Sequence, residues 1–335
     1  MKFSKYLYSL MIAVLLFSTA CTEDLQKEGP VKGKDLSVDC LKRTLGPLVI
    51  GNEIEFVFAM ALPKDKGKIV SAKVEATFAG GEGTYMEHRS AYTSAAGQDA
   101  WVTIGNPSVT SGVKTEVTFT LDTCAAALRY YYKIPAEARG KEVTFVFSSS
   151  CSTGETLSYK MGPYKIAEME MKRLIDVNAE NCFISIEDMA VYDATQAAAN
   201  GSKIDLVYLY RVVNVNEGGS TMNVFAHAFV APACDAQYRP DLTLPSGVNN
   251  NTPIRKVYAL RDRHLADLQY GIYVDDIDLR TINLANMPNY SLRTLNEYGM
   301  WVETQDGKYK AYIYVNSVNN NAGSAVISMK RLAVK

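Results

Sequence analysis

The sequence predicts a mainly β protein of two domains, an antiparallel β-sandwich followed by a second, mostly β unit with one or two short helices. Three observations lead there. From Asp35 to about Lys165 the chain runs in short alternating or β-branched stretches broken by turn residues, the texture of sandwich strands. From Met169 onward the same texture returns. Helix signals are confined to two short stretches of that second half.

The chain opens with Lys2 and Lys5 and then "YLYSLMIAVLLF", Tyr6 to Phe17. A bilayer-spanning helix takes about 20 apolar residues, whereas an export signal has a core of roughly 7 to 15 followed by small residues. Residues 1–20 therefore read as an export signal ending in Ser18, Thr19 and Ala20. Cys21 stands directly after them. This stretch resembles a bacterial lipobox in its looser Bacteroidetes form, with Ser18 where the commoner form carries Leu. The resemblance implies cleavage before Cys21, diacylation of its thiol and acylation of the new amino terminus. Each buried acyl methylene contributes about 0.8 kcal/mol, so two or three chains anchor essentially permanently.

Thr22, Glu23 and Asp24 resemble the acidic signal that sends such lipoproteins to the outer face of the outer membrane. The expected location is thus the outer membrane, facing the exterior, with the membrane itself engaged through lipid on Cys21. "LQKEGPVKGK", Leu25 to Lys34, mixes charges with Gly29, Pro30 and Gly33 and has no apolar period. Residues 21–34 accordingly read as anchor and flexible tether.

A formal net charge of -1 excludes a role built on phosphate neutralisation, so no nucleic-acid partner is expected. "RDRH", Arg261 to His264, is the densest basic spot, and it is short and acid-flanked. Besides Cys21 there are Cys40, Cys124, Cys151, Cys182 and Cys234, an odd set that leaves at least one thiol free or paired with another molecule. No C-x-x-C occurs. Two readings stay open: a Cys182–Cys234 bridge, which an exported protein permits, or buried thiols acting as small apolar residues.

In the first domain, residues 35–167, the strand candidates are "EIEFVFAMAL", "KIVSAKVEATF", "AWVTIG", "VKTEVTFTL", "LRYYYKIP", "KEVTFVFSSS" and "ETLSYKMGPY". Pro135 with "AEARGK", and "STGE", supply connections. The order "LRYYYKIPAEARGKEVTFVFSSS" resembles the immunoglobulin-like modules of Bacteroidetes surface lipoproteins from starch-utilisation-type glycan systems. That resemblance implies an immunoglobulin-like β-sandwich here.

In the second domain, residues 168–335, the candidates are "KRLIDV", "CFISIEDMAVY", "KIDLVYLYRVVN", "NVFAHAFVAP", "YGIYVDDIDL", "GMWVETQ", "KYKAYIYVN" and "AVISMKRLAV". "DATQAAA" has Asp193 as N-cap and Gln196 three on, a capping box. "RDRHLADLQYG" predicts a short helix stopped by Gly271. Between Pro232 and Pro253 lies a long polar, Pro-rich connection, and long loops on rigid β scaffolds commonly carry function. Taken whole, the chain is similar to a family of two-domain Bacteroidetes lipoproteins of unassigned activity, so only Cys21 carries over with a role.

Catalytic and cofactor signatures are absent: no G-x-S-x-G, H-E-x-x-H, Walker loop or G-x-G-x-x-G occurs, and no cofactor is expected. His88, His227 and His264 read as surface or satisfied histidines. Asp176, Asn178, Glu180 and Glu187 fall on EF-hand spacing, but Asn181 replaces the turn glycine and Ile184 fills the ninth place, so no metal site is expected.

Two constellations remain. If "YVDDIDL" is extended, Asp276 and Asp278 share one face roughly 6.6 Å apart, a spacing compatible with two carboxylates flanking a water. The plainer reading is a pair of solvated acids at a strand end. "GMWVETQDGKYKAYIYV" centres on Asp306-Gly307, a preferred type I′ hairpin turn. Folding there pairs Glu303 with Lys310, Trp301 with Tyr312, and Gly299 with Tyr314. Trp301, Tyr312 and Tyr314 then share a face with a charged pair that resists burial, so this face is expected to look outward and stack on a sugar ring. The opposite face, with Met300, Val302, Ala311 and Ile313, is expected to meet the core.

The function this predicts is non-catalytic binding of an extracellular ligand, a glycan first, through Trp301, Tyr312 and Tyr314. Two alternatives stand beside it: a glycoside hydrolase using Asp276 and Asp278, and an adhesin or assembly component whose edge strands add to an outer-membrane protein partner.

Overall fold

The computed structural model describes residues 29–217 and 220–334. The stretch expected to be an export signal, Cys21 and the start of the expected tether lie outside the described residues. The protein is mainly β. Its first domain holds β1 (Val31–Lys32), β2 (Ser37–Lys42), β3 (Glu53–Ala61), β4 (Ile69–Ala76), β5 (Tyr85–Met86), β6 (Arg89–Thr93), β7 (Asp99–Thr103), β8 (Val109–Ser111), β9 (Lys114–Thr123), β10 (Ala125–Lys133), β11 (Glu142–Cys151) and β12 (Thr156–Lys165). One sheet runs β1-β2-β3-β10-β5 and the facing sheet β12-β11-β4-β9-β8, with β6-β7 as a separate hairpin. Two such antiparallel sheets, with β3-β10 central in one and β11-β4 in the other, have the strand order of an immunoglobulin-type sandwich.

Period-two alternation explains the packing. β3 buries Ile54, Phe56, Phe58 and Met60, β10 buries Leu128, Tyr130 and Tyr132, and β11 buries Val143, Phe145 and Phe147. Across the sandwich the Phe56 ring lies 4.8 Å from that of Phe145, and Tyr132 meets Phe145 edge-on at 4.9 Å. Tilted and edge-on pairs of this kind contribute about 0.5–1.5 kcal/mol each beyond their burial.

The second domain holds β13 (Glu170–Val177), β14 (Phe183–Ser185), β15 (Ala190–Tyr192), α1 (Ala194–Ala199), β16 (Leu206–Glu217), β17 (Ser220–Val230), β18 (Ile254–Tyr258), α2 (Arg263–Ala266), α3 (Asp276–Thr281), β19 (Tyr290–Thr294), β20 (Tyr298–Glu303), β21 (Tyr309–Asn319) and β22 (Ser324–Ala333). Its sheets run β13-β22-β21-β20-β18 and β15-β14-β16-β17-β19. Met300, Val302, Ala311, Ile313 and Val315 from the first meet Leu206, Phe229 and Val230 from the second in one core. The capping box at Asp193 and Gln196 forms as the sequence predicts.

The connection between β18 and β19 is where expectation and structure part. "YGIYVDDIDL" is not a strand. Asp275 accepts the amides of Ile277 and Asp278, and its own amide donates to Asp278, a reciprocal cap that starts α3. Burial then follows a helical pattern, with Leu279 buried and Ile277 68% exposed, where an alternating strand would hide both. α2 likewise begins at Asp262, whose carboxylate accepts the Leu265 amide at 3.0 Å. It ends at Asp267, in the left-handed region at φ 55°, before Gly271 is reached.

This connection lies over the outer face of the sheet β13-β22-β21-β20-β18, and one buried ion pair pins it there. The Lys330 ammonium meets Asp262 at 2.6 Å with both side chains fully buried, and donates to the Val274 carbonyl at 2.7 Å. Asp262 in turn accepts the Val274 amide at 2.6 Å. Burial pulls the Lys330 pKa down, and Asp262 opposes that pull. The same connection clips the two domains together, because Asp276 accepts the amides of Glu168 and Met169 at 2.7 and 2.9 Å. Glu170 adds ion pairs to Arg139 of the first domain and Arg331 of the second.

Cys40, Cys124, Cys151, Cys182 and Cys234 are all free thiols, and all but Cys124 are buried, so the second of the two cysteine readings holds. Burial pushes the Cys182 thiol up to about 11.

Two outcomes are expected. Lys330→Met leaves Asp262 buried without its partner and should lower unfolding stability by about 3–5 kcal/mol in denaturant titration. Adding Asp262→Asn should recover part of that loss, and additive losses would contradict the pairing. Unfolded without reductant, the chain beginning at Thr22 should present all five thiols to a colorimetric reagent.

Candidate functional site

The hairpin register is the expected one: Trp301 pairs with Tyr312, Gly299 with Tyr314, and Glu303 with Lys310. The turn differs in type. Thr304 to Gly307 closes through the Gly307 amide to the Thr304 carbonyl at 2.8 Å, and Gly307 alone takes positive φ, at 65°. The two-residue type I′ turn would require positive φ at Asp306 as well.

The aromatic face, however, does not look outward. Trp301, Tyr312 and Tyr314 are 7%, 0% and 3% exposed, and they pack with Leu265, Val274, Leu279 and Leu284 of the covering connection and with Val49, Ala167 and Met169 at the domain junction. Trp301 and Tyr312 stack at 4.7 Å, and the Tyr312 hydroxyl donates to the Leu260 carbonyl at 2.6 Å. Gly299 permits this, since a Cβ there would overlap the Tyr312 phenol. The Glu303–Lys310 pair on this face was the reason to expect exposure. Instead the cover supplies partners: Lys310 donates to the Ile282 carbonyl at 2.8 Å, past the end of α3, and Lys330, across from Tyr312, pairs with Asp262. These three rings are core, not a stacking platform.

Asp276 and Asp278 do not form a carboxylate pair on a strand. Asp276 holds the interdomain amides and Asp278 completes the α3 cap. Of the loop on EF-hand spacing, Asn178 folds back to accept the amides of Glu180 and Asn181.

What the structure does assemble is a polar cleft of about 340 Å³ at one end of the second sandwich. Four connections converge on it. Glu187 comes from the loop after β14, and Ser202, Lys203 and Asp205 from the segment entering β16. Asn250 comes from the long Pro232–Pro253 loop, and Thr304, Gln305, Asp306, Lys308 and Tyr309 from the tip of the β20–β21 hairpin. Backbone contacts tie the loops to one another: the Asn250 amide side chain donates to the Ser202 carbonyl at 2.8 Å, and the Asn251 amide to Gln305 at 2.5 Å.

The charges of this cleft are unevenly satisfied. Lys203 lies 3.2 Å from Glu187 and 2.9 Å from Asp188. Asp188 also accepts the Tyr192 hydroxyl at 2.8 Å, and although burial opposes it, the bonds from Lys203 and Tyr192 leave its carboxyl below the usual range. Lys308 pairs with Asp306 at 2.8 Å, and chiefly through that bond the Asp306 carboxyl drops to about 2. Asp205 is different. It is 2% exposed, and its carboxylate accepts the Ile186 amide at 2.9 Å. Burial, helped by the negative charges of Asp306, Glu187 and Asp188, raises it to about 7. Both ammonium groups in the cleft are thus engaged by other acids.

Reading the sequence for site residues missed Asp205 and picked out the wrong part of the hairpin. "KIDLVYLYRVVN" was legible as a strand, and the acid at its entry, against an otherwise apolar run, was the available signal. The Pro232–Pro253 loop, singled out for its length, does reach the cleft through Asn250.

The Asp205 carboxyl gives a stability signature. Folded, it titrates near 7, and an unfolded Asp titrates near 3.9. Between those values the folded state holds the extra proton, so its contribution is fully present below the lower value and is lost as pH rises through the upper one. Asp205→Asn should therefore melt higher relative to wild type at pH 8 than at pH 5 in scanning calorimetry, and a pH-independent difference would contradict the assignment.

Comparison with known proteins adds the following. Residues 33–166 match the domain of unknown function DUF4466, and residues 167–334 match the domain of unknown function DUF8576. The crystal structure of a DUF4466 family protein from Parabacteroides merdae is 43% identical, covering 90% of this chain and 100% of that chain with a TM-score of 0.81. The major pilin subunit BcpA of Bacillus cereus is 9% identical over 58% of each chain, with a TM-score of 0.28 that carries no argument. No curated protein matches.

Proposed function

The chain belongs to the DUF4466 family, and from that premise we propose that it is a lipid-anchored protein of the outer-membrane surface whose second domain binds an extracellular glycan without transforming it. The anchor is Cys21, argued from the apolar core Tyr6 to Phe17 and the small residues before the cysteine. The first domain is the spacer that carries the binding domain away from the membrane. A tie to starch-utilisation-type systems rests on the "LRYYYKIPAEARGKEVTFVFSSS" resemblance.

The observation that carries the binding role is the cleft around Asp205. Carboxylates, side-chain amides and hydroxyls converge there beside the Tyr309 ring, whose centroid lies 4.8 Å from the Arg331 guanidinium. Ligand sites are concavities of about 300–1,000 Å³ with a few fixed polar groups that set orientation, and sugar hydroxyls are read by groups of these kinds. The loops that supply them are braced on two packed sheets, so little ordering is required on binding. A hydrolase is the second reading, favoured by one carboxyl raised to about 7 beside another lowered to about 2. Such separation of acid and base is how paired carboxylates divide their roles.

The soluble chain from Thr22 should be run in affinity gels containing host and dietary polysaccharides, with reducing ends assayed in the same samples. Retardation of wild type that is lost in Asp205→Asn, with no new ends, is the expected result. New ends that vanish in Asp205→Asn would replace binding with hydrolysis. Neither signal on any polysaccharide would overturn the glycan reading. Trp301→Ala, a core truncation costing about 3–5 kcal/mol, should alter retardation only as far as it unfolds the chain.

A further inference from the structure

The cleft holds a carboxylate without a counter-ion, and that absence specifies the ligand. Glu187, Asp188, Asp205 and Asp306 face two ammonium groups, those of Lys203 and Lys308. Lys203 is held between Glu187 and Asp188, and Lys308 by Asp306. Arg331, behind Tyr309, is paired with Glu170. Among the described residues, Asp205 therefore accepts one backbone amide and meets no cation, although it lines a cavity open to ligand and is 2% exposed. The local excess is negative, and a charge buried from water is favourable only when paired.

We propose that Asp205 anchors a positively charged nitrogen of the ligand, and, resting on the glycan reading above, that the ligand is a glycan carrying unsubstituted amino groups. A primary ammonium entering the cleft gives Asp205 the charge-assisted hydrogen bond that the protein does not supply. An acetamido group at the same position removes the charge and leaves Asp205 as it was. Neutral hydroxyls can bind the amides and hydroxyls around the cleft but cannot compensate the carboxylate. The acid held near 7 by burial is the thermodynamic mark of that missing partner.

Three oligosaccharides of equal length test this by calorimetry on the chain from Thr22 at pH 7: β-1,4-linked glucosamine, its fully N-acetylated form and the corresponding glucose oligomer. 1,5-Diaminopentane serves as an amine without sugar. The glucosamine oligomer should bind at least about ten-fold tighter than either neutral one, a difference of about 1.4 kcal/mol, and Asp205→Asn should abolish the preference. Equal or weaker binding of the glucosamine oligomer overturns the inference while leaving the glycan reading standing. Diaminopentane binding alone supports the ammonium anchor and overturns the glycan reading. No binding by any of the four overturns both. The comparison between amino and acetamido ligands is made on the wild-type chain, so it decides even if Asp205→Asn fails to fold.

Discussion

The second domain depends on the buried pair between Lys330 and Asp262. A lysine in the middle of β22, pointing from a sheet face, would ordinarily force that face into water. Here its ammonium receives a carboxylate and a carbonyl, and the carboxylate receives two further amides, from Leu265 and Val274. Burying two charges is favourable only when geometry and hydrogen bonds are this complete. Because both partners of the Lys330 ammonium come from the β18–β19 connection, the pair holds that connection down on β22, and with it Leu265, Val274, Leu279 and Leu284 over the aromatic face.

From that closure the domain arrangement follows. The connection that covers Trp301 and Tyr312 also presents Asp276 to the amides of Glu168 and Met169, at the point where one domain passes into the next. Val49, Ala167 and Met169 enter the same apolar cluster as Trp301 and Tyr314. The central strands β20, β21 and β22 are thus buried on both faces, one against the partner sheet and the other against a cover that belongs half to the junction. A sheet covered in this way leaves its edges, ends and loops for recognition, and it is at an end that the polar cleft lies.

The strands were legible because alternation is a local property. "EIEFVFAMAL", "KEVTFVFSSS" and the Trp301–Tyr312 register could be written down from spacing alone, as could the cap at Asp193 and the inward set Met300, Val302, Ala311 and Ile313. The direction faced by Trp301 could not, because it is decided by the cover from Leu265 to Leu284, upstream in the chain, and by a charge pair between residues 262 and 330. In "YVDDIDL" Ile277 and Leu279 alternate with acids as in a strand, yet the reciprocal cap of Asp275 and Asp278 starts a helix there. The cleft was the least legible feature. Its residues come from four separate connections, and Asp205 shows its character only through what surrounds it.

Asp262 and Asp205 are a controlled comparison within one domain. Both are aspartates almost wholly removed from water, at 0% and 2% exposure, and both accept backbone amides. One is completed by a lysine brought from β22. The other sits two residues from Lys203, which turns away to Glu187 and Asp188 instead. A nearby cation was therefore available to compensate Asp205, and the fold directs it elsewhere. Buried charge without a partner lowers stability wherever it occurs. Its placement on the wall of an open, polar, loop-built cavity, and not inside the core where Asp262 lies, is what a binding role for that carboxylate requires.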